Sequence, residues 1–189
     1  MDKAAAKRTT WPAAAVKPVE RFDPVSIAFH WLTALLLASQ LATAWLLGQA
    51  TDDAANILAL HRAVGVLVWL VVVLRLVWRK TRARLPPFPA GMPKLQQRAA
   101  RANEYALYAV LLAQPLTGLG QTIFRGQPFP LALLKMPALA SANQPLVSAC
   151  RTLHEWGATA LLAFCALHIA AALFHGLILR DGVLQRMLP

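Results

Sequence analysis

Residues 64–74 read Val-Gly-Val-Leu-Val-Trp-Leu-Val-Val-Val-Leu, a run without a single charged residue. A helix on the surface of a soluble protein would carry polar residues at helical spacing along one side. This run has no such stripe, and it lies within an apolar block that extends from Ile57 to Trp78. The block covers the roughly 20 residues that a helix needs to cross the hydrocarbon core of a membrane. We therefore predict a transmembrane helix here.

Three further apolar blocks of similar length accompany it. Of the 189 residues, 58% are hydrophobic and only 14% are charged, whereas charged residues make up about a quarter of a soluble domain. The first block follows a tail of 24 residues, too long for the n-region of a secretory signal, so it is interpreted as a retained span. The sequence predicts an all-α fold, a transmembrane antiparallel four-helix bundle. Its helices are expected at about 25–47, 57–79, 103–124 and 151–179, after a flexible cytoplasmic tail at 1–24.

The net charge of +11 is distributed unevenly along the chain. The first connection contains Asp52 and Asp53 and no basic residue, whereas the tail and the second connection are strongly basic. By the positive-inside rule, both termini and the second connection are cytoplasmic. Because the charge sorts by membrane side and forms no basic face on a soluble domain, no nucleic-acid partner is expected. The basic residues of these two segments are Lys3, Lys7, Arg8, Lys17, Arg21, Arg79, Lys80, Arg82, Arg84, Lys94, Arg98 and Arg101.

All five histidines lie in or at the edge of an apolar block, where ionisable residues usually have a function. His154 and His168 are 14 residues apart, which at about 100° and 1.5 Å per residue puts them on one helix face and about 21 Å apart. From their depth and the direction of their helices, His61 should lie level with His154, and His30 with His168. We name His61 and His154 the outer pair, and His30 and His168 the inner pair, after the predicted orientation.

Two histidines at each level indicate the kind of metal site. A structural zinc site usually needs four protein ligands, whereas a porphyrin already supplies four nitrogens and needs only two axial imidazoles. The absence of a Cys-x-x-Cys-His motif argues against covalent attachment. Small residues one turn after the histidines, such as Gly65 and Gly157, would leave space for a flat macrocycle. We therefore predict two bis-histidine haems b, a type of site suited to electron transfer.

The remaining histidine and several basic residues are candidates for secondary roles. His175 lies on the same helix face as His168 and could replace it as the inner ligand. Arg62 and Arg151 near the outer pair, and Arg75 and Arg79 near the inner pair, are candidate partners for haem propionates. For Arg79, Lys80 and Arg151, the alternative is simple extension of the side chain towards the membrane surface. The candidate contacts to a quinone or an anion are Lys80, His175, Arg125 and Lys135.

From about residue 21 to the end, the sequence resembles the bacterial cytochrome b561 family. The resemblance implies haem ligation by His30, His61, His154 and His168, ubiquinone as one electron partner, and a bacterial inner-membrane location. It also suggests superoxide as a donor, as in some members of the family. One residue departs from the pattern, because Glu104 stands where many members have a histidine. The matching motifs are Ile27-Ala-Phe-His30-Trp31, Leu60-His61-Arg-Ala-Val-Gly65 with Arg75, Leu107-Tyr108, Pro115-Leu-Thr-Gly118, Phe124-Arg125-Gly126-Gln-Pro128, Lys135-Met-Pro137, Leu153-His154-Glu155 and Leu167-His168.

Three functions are compatible with this pattern. The first is a two-haem cytochrome that carries electrons between an outer donor and the quinone pool, an oxidoreductase of the superoxide:ubiquinone type if superoxide is the donor. The second is a haem-bearing membrane anchor for a separate dehydrogenase or reductase subunit. The third is a histidine-lined transporter of protons or metal ions, which would show no haem spectrum. All three imply membrane lipid as the surroundings.

Overall fold

The computed structural model describes residues 20–49, 52–131 and 133–189. The fold is the predicted transmembrane four-helix bundle. Most of the predicted tail, residues 1–19, lies outside the described residues. The helices are α1 (Pro24–Leu47), α2 (Ala54–Thr81), α3 (Lys94–Ile123) and α4 (Gln144–Leu173), and α4 continues into a π-helical turn (Phe174–Leu179) and a short 3-10 helix (Leu184–Arg186).

Side-chain caps fix the beginning of two helices. Asp23 accepts a hydrogen bond from the backbone N–H of Ser26 at 3.0 Å, and Asn143 accepts one from that of Leu146 at 3.1 Å. Such caps satisfy backbone donors that the first turn leaves unpaired. The cap at Asn143 lets α4 begin seven residues before the predicted residue 151. Helix α3 begins nine residues before the predicted residue 103, because polar residues extend it beyond the apolar block.

Three helical segments among the described residues are long and apolar enough to cross a membrane: Pro24–Leu47, Ala54–Thr81 and Gln144–Leu179. Helix α3 falls short of this measure because its uncharged part, after Glu104, contains the polar residues Gln114, Thr117 and Gln121 as well as Pro115. This part packs closely against α4 and continues through Pro115 as one helix.

A two-stranded antiparallel hairpin lies in the connection between α3 and α4. Its strands are β1 (Phe129–Leu131) and β2 (Leu134–Met136), and β1 packs against α2. The turn before it requires glycine at position 126, where φ is 70° and an added Cβ would lie 2.5 Å from the Ala142 nitrogen. The sequence patterns gave no indication of this hairpin, because three-residue strands are too short to produce a recognisable alternation.

The bundle core lies between the two levels of histidines. It consists of Val68 and Val72 from α2, Leu111 from α3 and Leu161 from α4, and Val72 is fully buried. Along α2 and α4, Val68 and Leu161 each follow a histidine of the outer pair by seven residues, or about two helical turns. An apolar layer therefore separates the outer pair from the inner pair.

The C-terminal segment braces the ends of α1 and α2. Trp31 Nε1 donates to the Met187 carbonyl at 2.8 Å, the Phe22 N–H donates to the Arg186 carbonyl at 3.2 Å, and Arg186 donates to the carbonyl of Pro87. Trp78 of α2 also donates to the Asp23 carboxylate at 3.0 Å. These contacts hold the start of α1 beside the end of α2.

Candidate functional site

Four of the five histidines meet in two pairs, and these are the pairs expected from the sequence. The ring centroids of His61 and His154 are 6.3 Å apart, and those of His30 and His168 are 6.0 Å apart. An imidazole nitrogen lies about 2 Å from a bound metal, so two rings on opposite sides of one metal have centroids roughly 6 Å apart. Each pair therefore fits the two axial positions of one iron.

Hydrogen-bond acceptors surround Nδ1 of each outer histidine. Thr43 Oγ1 lies 2.9 Å from His61 Nδ1, and Thr117 Oγ1 lies 3.2 Å from His154 Nδ1. The Gln114 carbonyl is also 3.1 Å from His154 Nδ1. Because a carbonyl can only accept, His154 carries its proton on Nδ1, and the lone pair on Nε2 is free for a metal.

Three glycines shape the surroundings of the outer pair. An added Cβ at Gly118 would lie 3.0 Å from His154 Cε1, so the glycine lets this ring pack against α3. Added Cβ atoms at Gly65 and Gly157 would lie 2.9 Å and 2.2 Å from the side-chain amides of Gln40 and Gln114. The space one turn after each outer histidine is thus lined by a flexible amide, which can move aside for a planar group.

An unsatisfied polar atom also lies near this space. Gln40 Oε1 is buried and has no hydrogen-bond partner among the described residues. Buried polar atoms without a partner are uncommon in folded proteins and often mark a place where another molecule binds. Together with the ring separations and the two glycines, this atom indicates that the outer pair suits a bound macrocycle.

The inner pair has a cation beside it. Arg75 Nη2 lies 3.3 Å from His30 Nδ1, and its guanidinium lies 5.5 Å from the centre of the Tyr108 ring. A guanidinium can only donate, so His30 Nδ1 accepts in this contact and its proton lies on Nε2. A metal bound at Nε2 would move that proton to Nδ1, and Arg75 would then be a neighbouring cation without this hydrogen bond. Among the described residues, none forms a hydrogen bond with the side chain of His168. The structure therefore brings Arg75 to the inner pair, as the sequence indicated.

A small cavity of about 40 Å³ opens beside Arg75. Arg79, Glu104 and Tyr108 line it as well. Arg79 Nη2 and Glu104 Oε2 form an ion pair at 2.9 Å. Glu104, the residue that departs from the family pattern, is therefore paired with a cation next to the inner pair.

The structure brings His168, and not His175, opposite His30. His175 is buried in the π-helical turn, where its Nδ1 lies 2.6 Å from Asp181 Oδ2 and its Nε2 lies 3.2 Å from the Gln96 amide nitrogen. Both ring nitrogens therefore have protein partners. His175 connects the end of α4 to the start of α3, and its place among the candidate quinone contacts loses support.

The remaining predicted site residues are basic, and the structure gives none of them a hydrogen bond to a histidine among the described residues. The Arg62 guanidinium lies 5.8 Å from the centre of the Phe129 ring on the hairpin. Arg151, expected near a propionate, is instead exposed and pairs with Glu155 at 2.8 Å, because a residue four positions further along a helix lies within reach of its side chain. Lys80, Arg125 and Lys135 are exposed.

Sequence reasoning missed the two threonines and the Gln40 side chain. Thr43 and Thr117 each follow a glutamine by three residues within an apolar helix. Polar residues repeated at one spacing inside predicted spans were the available signal. It was too weak to interpret alone, because a threonine in a helix usually bonds to its own backbone.

Comparison with known proteins finds relatives over almost the whole chain. The chain is 29% identical over 174 residues to cytochrome b561 homolog 1 of Escherichia coli (strain K12), which covers 90% of this chain and 98% of the relative. It is 30% identical over 173 residues to cytochrome b561 homolog 2 of the same organism, covering 89% and 92%. A protein of Yersinia pestis named probable superoxide oxidase CybB is 25% identical over 171 residues, covering 90% and 97%.

The family described as prokaryotic cytochrome b561 matches residues 21–189, nearly the whole described chain. This match confirms the resemblance that the sequence motifs indicated. The chain is a membrane protein for which the family implies b-type haem and electron transport. It belongs to the prokaryotic cytochrome b561 family.

Proposed function

We propose that this protein is a di-haem b-type cytochrome that carries electrons across a bacterial inner membrane, from a donor at the outer face to the quinone pool. The observation that carries the proposal is the two histidine pairs, at 6.3 Å and 6.0 Å, at two levels of one bundle. When bound, each haem would accept and release one electron at its iron. Both termini are cytoplasmic in this proposal, as the distribution of basic residues indicates.

The protein's own residues give each level a distinct role. His61 and His154 hold the outer haem, and His30 and His168 hold the inner one. The apolar layer around Val72 excludes water between the two levels. Because 14 residues separate His154 from His168 on α4, the two levels lie about 21 Å apart along an upright helix.

Superoxide is the donor that the outer end fits best. Arg62 and Arg125 lie near one another at that end, and a cationic surface raises the local concentration of an anion. The relative from Yersinia pestis carries a name that includes superoxide oxidase. Two superoxide anions would give up two electrons and leave as two molecules of O₂.

Ubiquinone is the proposed acceptor, at the inner end. Its reduction to quinol consumes those two electrons and two protons, so the overall reaction of two superoxide anions, one quinone and two protons is balanced. The cavity beside Arg75 contains Glu104, whose side chain is 34% exposed and therefore within reach of water. We assign this carboxylate to the delivery of protons from the cytoplasmic side. Lys80 is the nearby exposed cation that remains a candidate contact.

Haem content tests the first part of the proposal. We expect a reduced-minus-oxidised spectrum of b-type haem, and a pyridine haemochrome assay should give two haems per chain. His61→Ala and His30→Ala should each leave one haem. Fewer than two haems in the unmodified protein would contradict the paired sites, and a protein without a haem spectrum would favour the transporter.

Stopped-flow mixing with superoxide tests the donor. We expect reduction of the haems to be faster than in a buffer blank and to slow at higher ionic strength, because exposed charges are screened by salt. Arg62→Gln should slow the reaction, whereas Arg98→Gln, at the opposite end, should not. A rate equal to the blank would eliminate superoxide, and a redox subunit that co-purifies in stoichiometric amount would favour the anchor function.

A further inference from the structure

The two outer histidines are supported by the same arrangement, which occurs twice in the bundle. On α1, Gln40 and Thr43 face His61 of α2, and on α3, Gln114 and Thr117 face His154 of α4. We call each Gln-x-x-Thr segment a cradle, the α1 cradle being residues 40–43 and the α3 cradle residues 114–117. In both, the glutamine amide lies against a glycine that follows the supported histidine by one turn.

Each threonine hydroxyl has its own proton already engaged. Thr43 Oγ1 donates to the carbonyl of Gln40 at 3.0 Å or of Ser39 at 3.1 Å, and Thr117 Oγ1 donates to that of Gln114 at 2.9 Å. What each hydroxyl offers to the neighbouring imidazole is therefore a lone pair. Each outer Nδ1–H donates to that lone pair, which leaves both Nε2 atoms as metal ligands.

Within the part of the chain that the structure describes, no cradle supports the inner pair. Thr33, the buried threonine of α1 closest in sequence to His30, donates to the Phe29 carbonyl at 2.6 Å and contacts neither inner histidine among the hydrogen bonds of the described residues. The group that faces His30 Nδ1 is the Arg75 guanidinium, which carries a positive charge and only donates. The outer histidines thus face uncharged hydrogen-bond acceptors, whereas His30 faces a cation.

We propose that Thr43 and Thr117 are positioning residues that keep the outer haem at a lower midpoint potential than the inner haem, and that this difference directs electrons from the outer site to the inner site. The proposal rests on the proposed function above, because it requires a haem at each pair. One electron leaves the outer site and enters the inner site, without transfer of a proton or a change in any covalent bond.

The physical reason lies in the charge of the iron, which is one unit more positive when oxidised. A hydrogen bond from Nδ1–H to an acceptor makes the imidazole a stronger donor through Nε2, and this stabilises the oxidised iron. A nearby cation has the opposite effect, because it repels the more positive form. The acceptors at the outer pair lower the potential, and Arg75 raises it at the inner pair.

Redox titration of the haem-loaded protein, followed by visible absorbance, tests this assignment. In a His30→Ala background only the outer haem remains, so its potential is measured without overlap. We expect Thr43→Val with Thr117→Val to raise that potential by about 59 mV, the equivalent of a tenfold change in the one-electron equilibrium constant. Each single variant should change the equilibrium constant about threefold. If the double variant loses haem, the two single variants still test the assignment.

Matched variants separate positioning from general damage to the bundle. Thr43→Ser with Thr117→Ser keeps both hydroxyls and should preserve the potential of the unmodified outer haem. Thr33→Val removes a buried hydroxyl whose one hydrogen bond among the described residues is to its own helix, and it should leave the potential unchanged. An upward shift of similar size in Thr33→Val, or none in either single valine variant, would overturn the role of the cradles.

The unmodified protein distinguishes the failure of this inference from that of the proposed function. Fewer than two haems per chain would contradict the proposed function. Two haems with the outer potential equal to or above the inner one would leave that function standing and overturn the proposed order.

Discussion

The outer and inner histidine pairs have nearly the same ring separation but opposite surroundings. At the outer pair, a threonine hydroxyl faces Nδ1 of each histidine, and a backbone carbonyl also faces that of His154. At the inner pair, a guanidinium faces the one histidine that has a side-chain partner. Similar ligand geometry can thus be combined with different electrostatics, which is how a protein with two chemically identical haems could give them different potentials.

The two levels also differ in what holds them. The outer histidines are positioned by turns of the helices packed next to their own, so their support lies inside the bundle. The inner level lies close to the brace formed by Asp23, Trp78 and the C-terminal segment, at one end of the spans. Substitutions at the two levels should therefore fail in different ways.

The largest expected effect concerns the inner ligand. His168→Ala should remove the inner haem and leave one haem per chain, because it deletes the ring that faces His30 at 6.0 Å. His175→Ala should retain both haems, since its ring nitrogens are engaged by Asp181 and Gln96. The pyridine haemochrome assay distinguishes them. Loss of a haem in His175→Ala with retention in His168→Ala would reverse the ligand assignment.

A second substitution should break the outer level alone. Gly118→Val would put side-chain atoms within about 3.0 Å of the His154 ring, so we expect most of the outer haem to be lost while the inner haem stays. Gly91→Val is the control, because an added Cβ there meets nothing within 4 Å. Haem stoichiometry and the spectrum of the remaining haem are the measurements. Equal loss of both haems would mean that the two levels do not fail independently.

Much of this arrangement could be predicted from sequence because helical geometry fixes it. The 14 residues from His154 to His168 span about four helical turns, so this interval determines both that the two side chains share a helix face and how far apart they lie. The cradles could not be predicted, since they depend on which helix face lies beside His61. The ion pair of Arg151 with Glu155 could not be predicted with certainty either, and the role of Arg151 beside a propionate stays a prediction.

A third prediction sharpens the electrostatic contrast at the inner pair. Arg75→Gln removes a positive charge 3.3 Å from His30 Nδ1, so the oxidised iron is repelled less and the inner potential should fall, by up to about 59 mV for a tenfold change. Arg79→Gln should have a smaller effect, because Glu104 already pairs with that charge. Redox titration in a His61→Ala background, which leaves the inner haem, measures both. A higher midpoint potential of the inner haem in Arg75→Gln would contradict the proposed effect of the Arg75 charge.

The smallest expected effect concerns the brace at the inner end. Asp23 accepts hydrogen bonds from Ser26, Trp78 and the Arg84 N–H. Burial raises the pKa of Asp23, but these bonds outweigh it and hold the pKa below its ordinary value of 3.8. The unfolded chain therefore takes up a proton at a higher pH than the folded protein does. The stabilisation is complete well above pH 3.8 and is lost as the pH falls below that value, through the lowered pKa of the folded state.

Asp23→Ala should consequently lower the melting temperature at pH 6 by a few degrees, because loss of a helix cap costs about 1 kcal/mol. The difference from the unmodified protein should shrink as the pH falls below 3.8. Asp53→Ala is the matched control at the other end of the bundle, since Asp53 precedes α2 but its side chain makes no capping hydrogen bond. Thermal unfolding in detergent, followed by Soret absorbance, gives both values. If Asp53→Ala destabilised the protein as much as Asp23→Ala, or if the Asp23→Ala difference did not change with pH, the brace would not depend on this carboxylate.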